Sequence, residues 1–145
     1  MEGPAGGTYI LLIELPRDCE IAVGALGPLS FPRGFYAYVG SAMGGLEARI
    51  RRHLRKRKRF HWHIDFLLQR ARVREVISIR GKKVECPLAR ELEQTFPCIP
   101  RFGSSDCRCK SHLFFCRDYR LLREKILKLS KGQPWDSRME KGFTS

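Results

Sequence analysis

Apolar residues near the start of the chain follow the pattern of a buried strand. Residues 8–15 read TYILLIEL and end at Pro16, which has no backbone N–H to give to a sheet. The segment EIAVGALG at 20–27 indicates a second strand, and the aromatic-rich FYAYV at 35–39 indicates a third. The N-terminal part of the chain is therefore expected to be an antiparallel group of strands.

Segments after this group alternate between helical and extended patterns. Leu46, Ile50 and Leu54 recur at steps of four in LEARIRRHLRK, which is typical of an amphipathic helix. Similar patterns predict helices over 61–71, 83–96 and 119–129, and strands over 73–81 and 112–116. This order predicts an α/β or α+β fold, with a small mixed sheet of about three to five strands flanked by helices.

Turn-forming residues concentrate in the last third of the chain. Residues 97–112 read PCIPRFGSSDCRCKSH, a loop pattern that precedes the last predicted strand. We expect one domain over residues 6–117, followed by a tail over 118–145 that begins as a helix and then becomes polar, basic and flexible. The last dozen residues are expected to be mobile.

Charge is the least ordinary property of the composition. The chain of 145 residues has 28 Lys and Arg against 15 Asp and Glu, a net charge of +13, and such a positive field favours polyanions. Eight of the eleven residues in RIRRHLRKRKR are basic, namely Arg49, Arg51, Arg52, Arg55, Lys56, Arg57, Lys58 and Arg59. Like charges at this density destabilise the fold unless a polyanion neutralises them. We predict nucleic-acid contact through this run, and the alternative is a solvated helix face with a flexible basic loop.

No part of the sequence indicates a membrane or a secretory route. Apolar runs are shorter than the 18 or so residues that a membrane-spanning helix needs, and no basic stretch precedes the first apolar run, as a secretory signal requires. A cytoplasmic protein is therefore expected. Its six cysteines should then be reduced thiols or metal ligands, with disulfides open as an alternative for a hyperthermophile.

Two tripeptides frame the N-terminal strands. GTY at 7–9 is matched by YVG at 38–40, and Arg49 and His53 follow four residues apart on one predicted helix face. With these motifs the chain resembles the GIY-YIG nuclease superfamily. It is most similar to an archaeal domain of unknown function that is sometimes fused to DNA glycosylases of the endonuclease III type. That likeness covers about residues 6–117 and depends on YVGSAMGGLEARIRRH, HWHIDFLL, VECPLA and FGSSDCRCKSHLF.

The resemblance implies a set of catalytic roles. Tyr9 and Tyr38 would hold or deprotonate a water, Arg49 would bind the scissile phosphate, and His53 would assist. An acidic residue would hold Mg²⁺ or Mn²⁺. The alternative is that the tyrosines are ordinary strand aromatics and that the arginine and histidine are surface residues.

Two glutamates compete for the role of metal ligand. Glu85 lies in VECPLA at the predicted start of a helix and is the first choice, whereas Glu91 precedes Pro-Arg-Phe by nine residues, as the superfamily glutamate does. The chain also departs from the superfamily, because 28 residues separate Tyr9 from Tyr38 and no late asparagine is evident. An extra hairpin at 20–31 would account for the longer spacing.

Histidines and cysteines form two further groups. In HWHID, His61 and His63 share a face if the segment is a strand, whereas His61 and Asp65 do so if it is a helix. These histidines would add to the nucleic-acid-binding face, or they would cap a helix.

A second group combines thiols with a histidine. Cys86, Cys107, Cys109 and His112 could form a Cys₃His zinc site. Buried free thiols, or a functional role for Asp106, are the alternatives.

The preferred function at this stage is a divalent-metal-dependent nuclease that acts on DNA, with DNA more expected than RNA and DNA repair proteins as partners. The alternative is a non-catalytic nucleic-acid-binding module stabilised by zinc. Paired tyrosines near an arginine favour the nuclease, because a basic surface alone explains binding but not their arrangement.

Overall fold

Seven strands form two antiparallel sheets in the computed structural model, which describes residues 6–136. The strands are Gly7–Leu15 (β1), Cys19–Val23 (β2), Gly27–Phe31 (β3), Gly34–Ala42 (β4), Arg72–Arg80 (β5), Leu113–Cys116 (β6) and Gln133–Pro134 (β7). The main sheet has the order β6-β4-β1-β5-β7, and every pairing in it is antiparallel. Strands β2 and β3 pair separately, which confirms the predicted extra hairpin.

Four helices cover the two faces of the main sheet. They are Leu46–Leu54 (α1), His63–Leu67 (α2), Glu85–Leu92 (α3) and Tyr119–Ser130 (α4). Leu46 and Ile50 of α1 pack against one face, whereas Leu88 of α3 and Leu122 and Ile126 of α4 pack against the other. The α+β class is therefore confirmed.

The apolar run that begins the chain becomes the central strand of the sheet. Tyr9, Leu11 and Ile13 belong to the core on the α1 side, and Ile10 and Leu12 belong to the core on the α3 side. A strand covered on both faces needs apolar residues at successive positions. This explains why TYILLIEL does not alternate with polar residues.

Two predicted helices are longer in the sequence pattern than in the structure. The helix expected over 61–71 is only His63–Leu67, because the buried Asp65 carboxylate accepts hydrogen bonds from the backbone N–H groups of His61 and Trp62. Trp62 is extended there. The helix expected over 83–96 ends at Leu92.

The C-terminal part of the described chain packs onto the sheet. Leu122 and Ile126 are fully buried in the core on the α3 side, and β7 pairs with β5. The backbone N–H of Trp135 also donates to the carbonyl of Val76 at 2.7 Å. Of the last dozen residues, for which mobility is predicted, 137–145 lie outside the described residues. The predicted domain boundary at 117 stays a prediction.

No helix within residues 6–136 combines the length and the apolar character needed to cross a membrane.

Candidate active site and metal centre

The two motif tyrosines lie near each other on the α1 face of the main sheet. In the register of β1 and β4, Tyr9 is opposite Gly40 and Leu11 is opposite Tyr38, and paired residues project to the same face. The ring centroids of Tyr9 and Tyr38 are 6.5 Å apart, and their exposed fractions are only 2% and 6%. A Cβ atom on Gly40 would lie 2.5 Å from the Tyr9 hydroxyl, so the phenol fits only above a glycine.

His53 of α1 completes this buried group. Its Nε2 is 2.7 Å from the Tyr9 hydroxyl. Burial lowers the pKa of His53 to about 3. It also raises the pKa of Tyr9 to about 12, against the opposing effect of nearby Arg49. Both side chains are therefore neutral near pH 7. The Nδ1 atom of His53 is buried and has no hydrogen-bond partner within residues 6–136.

Arg49 is held at the end of β4 by two contacts. Its Nη1 donates to the carbonyl of Ser41 at 3.1 Å, and its guanidinium lies 4.3 Å from the ring centroid of Trp62. Arg52 contacts the same ring at 4.5 Å. An arginine fixed in this way has less side-chain entropy to lose when it binds a phosphate.

Glu85 contacts the hydroxyl of Ser41, whereas Arg49 contacts its carbonyl. The Ser41 hydroxyl donates to Glu85 Oε1 at 2.5 Å, and Lys83 Nζ lies 2.9 Å from the same oxygen. Burial would raise the pKa of Glu85, but the hydrogen bonds from Ser41 and Lys83 outweigh it and hold that pKa below its ordinary value. Ser41 therefore connects the arginine to an ionised carboxylate.

The two competing glutamates are at opposite ends of α3. Glu85 is its first residue and half-buried, whereas Glu91 lies six positions later on an exposed surface, roughly 9 Å further along the helix axis. The structure brings Glu85 to Ser41 and leaves Glu91 without a side-chain hydrogen bond in the described part of the chain.

The basic run continues from α1 into the loop over 55–62, here called the basic loop. Some of its side chains hold this loop in place, and others project from it. Arg52 donates from Nη1 and Nη2 to the two carboxylate oxygens of Asp65, each at 3.0 Å. Lys58 Nζ donates to the carbonyls of His53 and Arg55 at the end of α1. Four further side chains of the run are exposed, namely Arg55, Lys56, Arg57 and Arg59. Arg51 is also exposed. The basic loop therefore exposes positive charge while the contacts of Arg52 and Lys58 hold its backbone in place.

The histidines of HWHID lie apart from each other. His63 Nδ1 accepts a hydrogen bond from the backbone N–H of Gly103 at 2.8 Å, and its ring packs against Phe102. His61 is exposed beside Trp62. His63 thus holds the 97–112 loop against α2.

A group of thiols and one imidazole converges on the α3 side. Cys86 in the first turn of α3 meets Cys107, Cys109 and His112 from the loop before β6, and the four candidate ligand atoms all lie within 4.8 Å of one another. His112 Nε2 is 3.5 Å from Cys107 Sγ and 3.9 Å from Cys86 Sγ. Ligands of a tetrahedral Zn²⁺ lie roughly 3.5–3.8 Å apart, given bonds of about 2.3 Å to sulfur and 2.0 Å to nitrogen. The two His112 distances are close to these values, and the four side chains together provide the donor set of a Cys₃His metal centre.

The remaining thiols take no part in this cluster. Cys19, Cys98 and Cys116 lie outside it, and none of the six cysteines forms a disulfide. Asp106, the alternative to the thiols, is exposed.

The candidate active site and the Cys₃His cluster are adjacent at the start of α3. Glu85 and Cys86 are consecutive residues there, and Glu85 belongs to the candidate active site whereas Cys86 belongs to the cluster. The Thr8 hydroxyl fixes this segment, because it donates to the carbonyl of Lys82 at 2.8 Å and accepts from the N–H of Val84 at 2.9 Å. The residue between the glycine and tyrosine of the first motif thereby positions both groups.

In a comparison with known protein families, the chain matches the family described as Domain of unknown function DUF123 over residues 8–133. The match begins in β1 and ends in β7, so it includes both tyrosines and the whole Cys₃His cluster. The chain is a member of this family. No curated protein and no solved structure matches the chain. The predicted relationship to a domain of unknown function is thus confirmed, and the wider GIY-YIG relationship stays a prediction.

Some residues that organise the site of this DUF123 member are not evident from its sequence. Ser41 lies inside the YVGS motif but shows its role only when α3 reaches β4. Lys83 and the stacked Trp62 likewise depend on tertiary contacts. The signal for Ser41 is a polar residue among apolar ones at the end of a strand, a place where sites are common in sheets.

Proposed function

We propose that the chain is a divalent-metal-dependent nuclease that hydrolyses phosphodiester bonds in DNA, acting where β4 meets α1 and α3. One observation carries the proposal. Arg49 contacts the carbonyl of Ser41 and Glu85 accepts from its hydroxyl, so a cation and a carboxylate lie on two sides of one residue. The Tyr9–His53 pair lies in the same part of the molecule. Phosphate binding, metal binding and orientation of a water need these groups together.

The donor set near Ser41 fits Mg²⁺ or Mn²⁺ bound through a single carboxylate. Glu85 Oε1 is engaged by Ser41 and Lys83, whereas Oε2 has no hydrogen-bond partner in residues 6–136. Magnesium commonly takes one or two protein carboxylates and completes its shell with water and phosphate oxygens. When bound, such an ion lowers the pKa of a coordinated water and stabilises charge on the phosphate.

The protein side chains would then bind and orient. Arg49 offers two parallel N–H donors to a phosphate. Tyr9, with a pKa of about 12, stays protonated at neutral pH, so it serves as a hydrogen-bonding group and not as a general base. His53 fixes the phenol through Nε2. A metal ion held by Glu85 would supply the activation of the attacking water.

The test compares cleavage of labelled duplex, branched and single-stranded DNA in Mg²⁺ or Mn²⁺. Glu85→Gln and Arg49→Ala should each lose at least about a hundredfold in cleavage rate, since each removes a charged group from the transition state. Glu91→Gln is the matched control on the same helix and should cleave like the wild type. Cleavage that persists in Glu85→Gln and Arg49→Ala would contradict the proposal, because it would indicate a contaminating enzyme.

A second function, nucleic-acid binding without cleavage, is favoured by the burial of the tyrosines. At 2% and 6% exposure, Tyr9 and Tyr38 have little surface to offer a substrate, while the exposed cations of the basic loop are accessible. Tight DNA binding by the wild type with no cleavage under any condition would establish this function instead.

We also propose that Cys86, Cys107, Cys109 and His112 bind one structural Zn²⁺. A metal ion here would join α3 to the 97–112 loop, in which Gly103 (φ +72°) packs against Tyr38. Purified protein should contain about one zinc per chain, and Cys107→Ser should lose it. Cys19→Ser, which changes a thiol outside the cluster, is the control. A metal-free wild type with a full unfolding transition would overturn the zinc proposal.

A further inference from the structure

A cavity of about 680 Å³ lies behind the basic loop, away from Glu85. It is an open cavity lined by the end of α1, the loop that follows it and the segment joining α2 to β5. The volume is within the range of ligand-binding pockets, roughly 300–1,000 Å³. Its lining combines apolar side chains, such as Leu54 and Leu68, with five cationic residues, namely Arg55, Lys56, Lys58, Arg70 and Arg72.

The positive charge of this cavity is mostly unneutralised. Glu14 is the one acidic residue among its lining residues, and it is paired with Arg72 at 3.1 Å and with Arg74 at 3.6 Å. Arg55, Lys56 and Arg70 make no ion pair within residues 6–136. Cations crowded in a concave surface raise the local concentration of anions.

The apolar part of the lining is the second property of the cavity. Leu54 is 42% exposed, and it lines the cavity together with Leu68, Ala71 and Val73. Ligand pockets commonly combine apolar side chains of this kind with a few polar or charged groups.

We propose that this cavity binds a nucleoside monophosphate unit. The phosphate would lie against Arg55, Lys56 and Arg70, and the nucleoside would lie against the apolar residues of the lining. A phosphate alone would leave most of the volume and the apolar wall unused. The unit could be a free nucleotide or the terminal nucleotide of a strand, and its binding does not require that the chain cleave DNA.

Titration calorimetry of the full chain with adenosine 5′-monophosphate (AMP), without divalent metal, tests the proposal. Wild type should bind AMP with one site per chain, and more tightly than it binds inorganic phosphate or adenosine. Arg70→Glu should weaken AMP binding about tenfold to a hundredfold, the size of a lost charge-assisted contact. Arg120→Glu makes the same charge change on α4, across the sheet, and should bind like the wild type.

Two results would overturn the proposal. One is equal AMP affinity in Arg70→Glu and Arg120→Glu, and the other is equal affinity of the wild type for AMP and for inorganic phosphate.

Competition identifies the source of the nucleotide. Displacement of AMP by a 5′-phosphorylated single strand, but not by the same strand with a 5′-hydroxyl, would support a strand end as the ligand. Displacement by neither strand, with AMP binding intact, would support a free nucleotide.

Discussion

At the residue scale, the site depends on close contacts that tolerate few substitutions. Position 40 is the clearest case, because the phenol of Tyr9 occupies the space that a side chain would need there. The neighbouring turn shows the contrast, since a Cβ on Gly44 would meet nothing within 4 Å. Two glycines of one motif therefore have different roles.

Gly40→Ala should displace Tyr9 from His53. A Cβ there would lie 2.5 Å from the hydroxyl oxygen and 2.6 Å from Cζ of Tyr9, and overpacking of this kind costs about 1–3 kcal/mol. Urea unfolding should show that loss for Gly40→Ala and a change within about 0.5 kcal/mol for Gly44→Ala. Equal stability of the two variants would contradict the tight fit described for Tyr9.

His53 should make the stability fall in mild acid. Its pKa is about 3 in the folded chain and 6.5 ordinarily, so below about pH 6.5 the unfolded chain binds a proton that the folded chain does not. The free energy of unfolding should therefore fall as the pH is lowered from about 6.5 to about 3, with a slope that approaches about 1.4 kcal/mol per pH unit. Above pH 6.5, His53 is neutral in both states and does not change the free energy of unfolding with pH.

Unfolding of the wild type and of His53→Gln over about pH 6 to pH 4 measures this effect. The difference between the two proteins should decrease as the pH falls, because the variant lacks the titrating group. A constant difference would mean that His53 is protonated in the folded chain.

Individual site residues were predictable from sequence only where a motif names them. Tyr9, Tyr38 and Arg49 belong to spaced motifs, and the structure brings them near one another. The orphan nitrogen of His53 has no signature, because an amphipathic pattern does not distinguish a buried histidine from an exposed one. The bond between Ser41 and Glu85 joins residues 44 positions apart, beyond any local pattern.

At the element scale, Asp65 determines where α2 begins. It is fully buried and accepts from Arg52 and from two backbone N–H groups. The spacing of apolar residues predicted a helix from residue 61. The hydrogen bonds to the Asp65 side chain instead keep His61 and Trp62 outside the helix, which begins at His63. The ring of Trp62 can then lie against Arg49 and Arg52.

Asp65→Ala should destabilise the protein by about 3 kcal/mol. The change leaves a largely buried guanidinium and two backbone donors without their acceptor, and breaking such a pair costs about 3–5 kcal/mol. Thermal unfolding of Glu124→Ala, which removes an exposed carboxylate from α4, is the control. A loss below about 1 kcal/mol for Asp65→Ala would mean that Arg52 finds another partner.

At the scale of the whole molecule, charge and fold are separate properties. Alternating strand and helix patterns predicted the α+β class, because each segment must bury an apolar face. Sheet order and the two-sided core follow from contacts between distant segments, so they were not readable from any one stretch. The net charge of +13 produces a field that favours polyanions, and it says little about the fold.

Salt should weaken the proposed DNA binding in proportion to the number of phosphates contacted. The logarithm of the association constant falls with the logarithm of salt concentration by about 0.9 per phosphate. Lys56→Ala/Arg57→Ala should therefore reduce the slope by roughly two. Arg120→Ala/Lys128→Ala has the same net charge and should keep the wild-type slope. Equal slopes for both double variants would assign the binding to another surface.

The short strand β7 covers the middle of the outer edge of β5. Gln133 and Pro134 pair with Ser78 and Ile77, and a Cβ on Gly132 would lie 2.7 Å from the Ile77 side chain, so only a glycine lets the backbone approach. A protease that cut the chain after Ser130 would leave this part of the β5 edge unpaired as well. An unpaired edge strand is a template for strand addition, so the clipped chain should aggregate or bind extended peptides more readily than the intact chain.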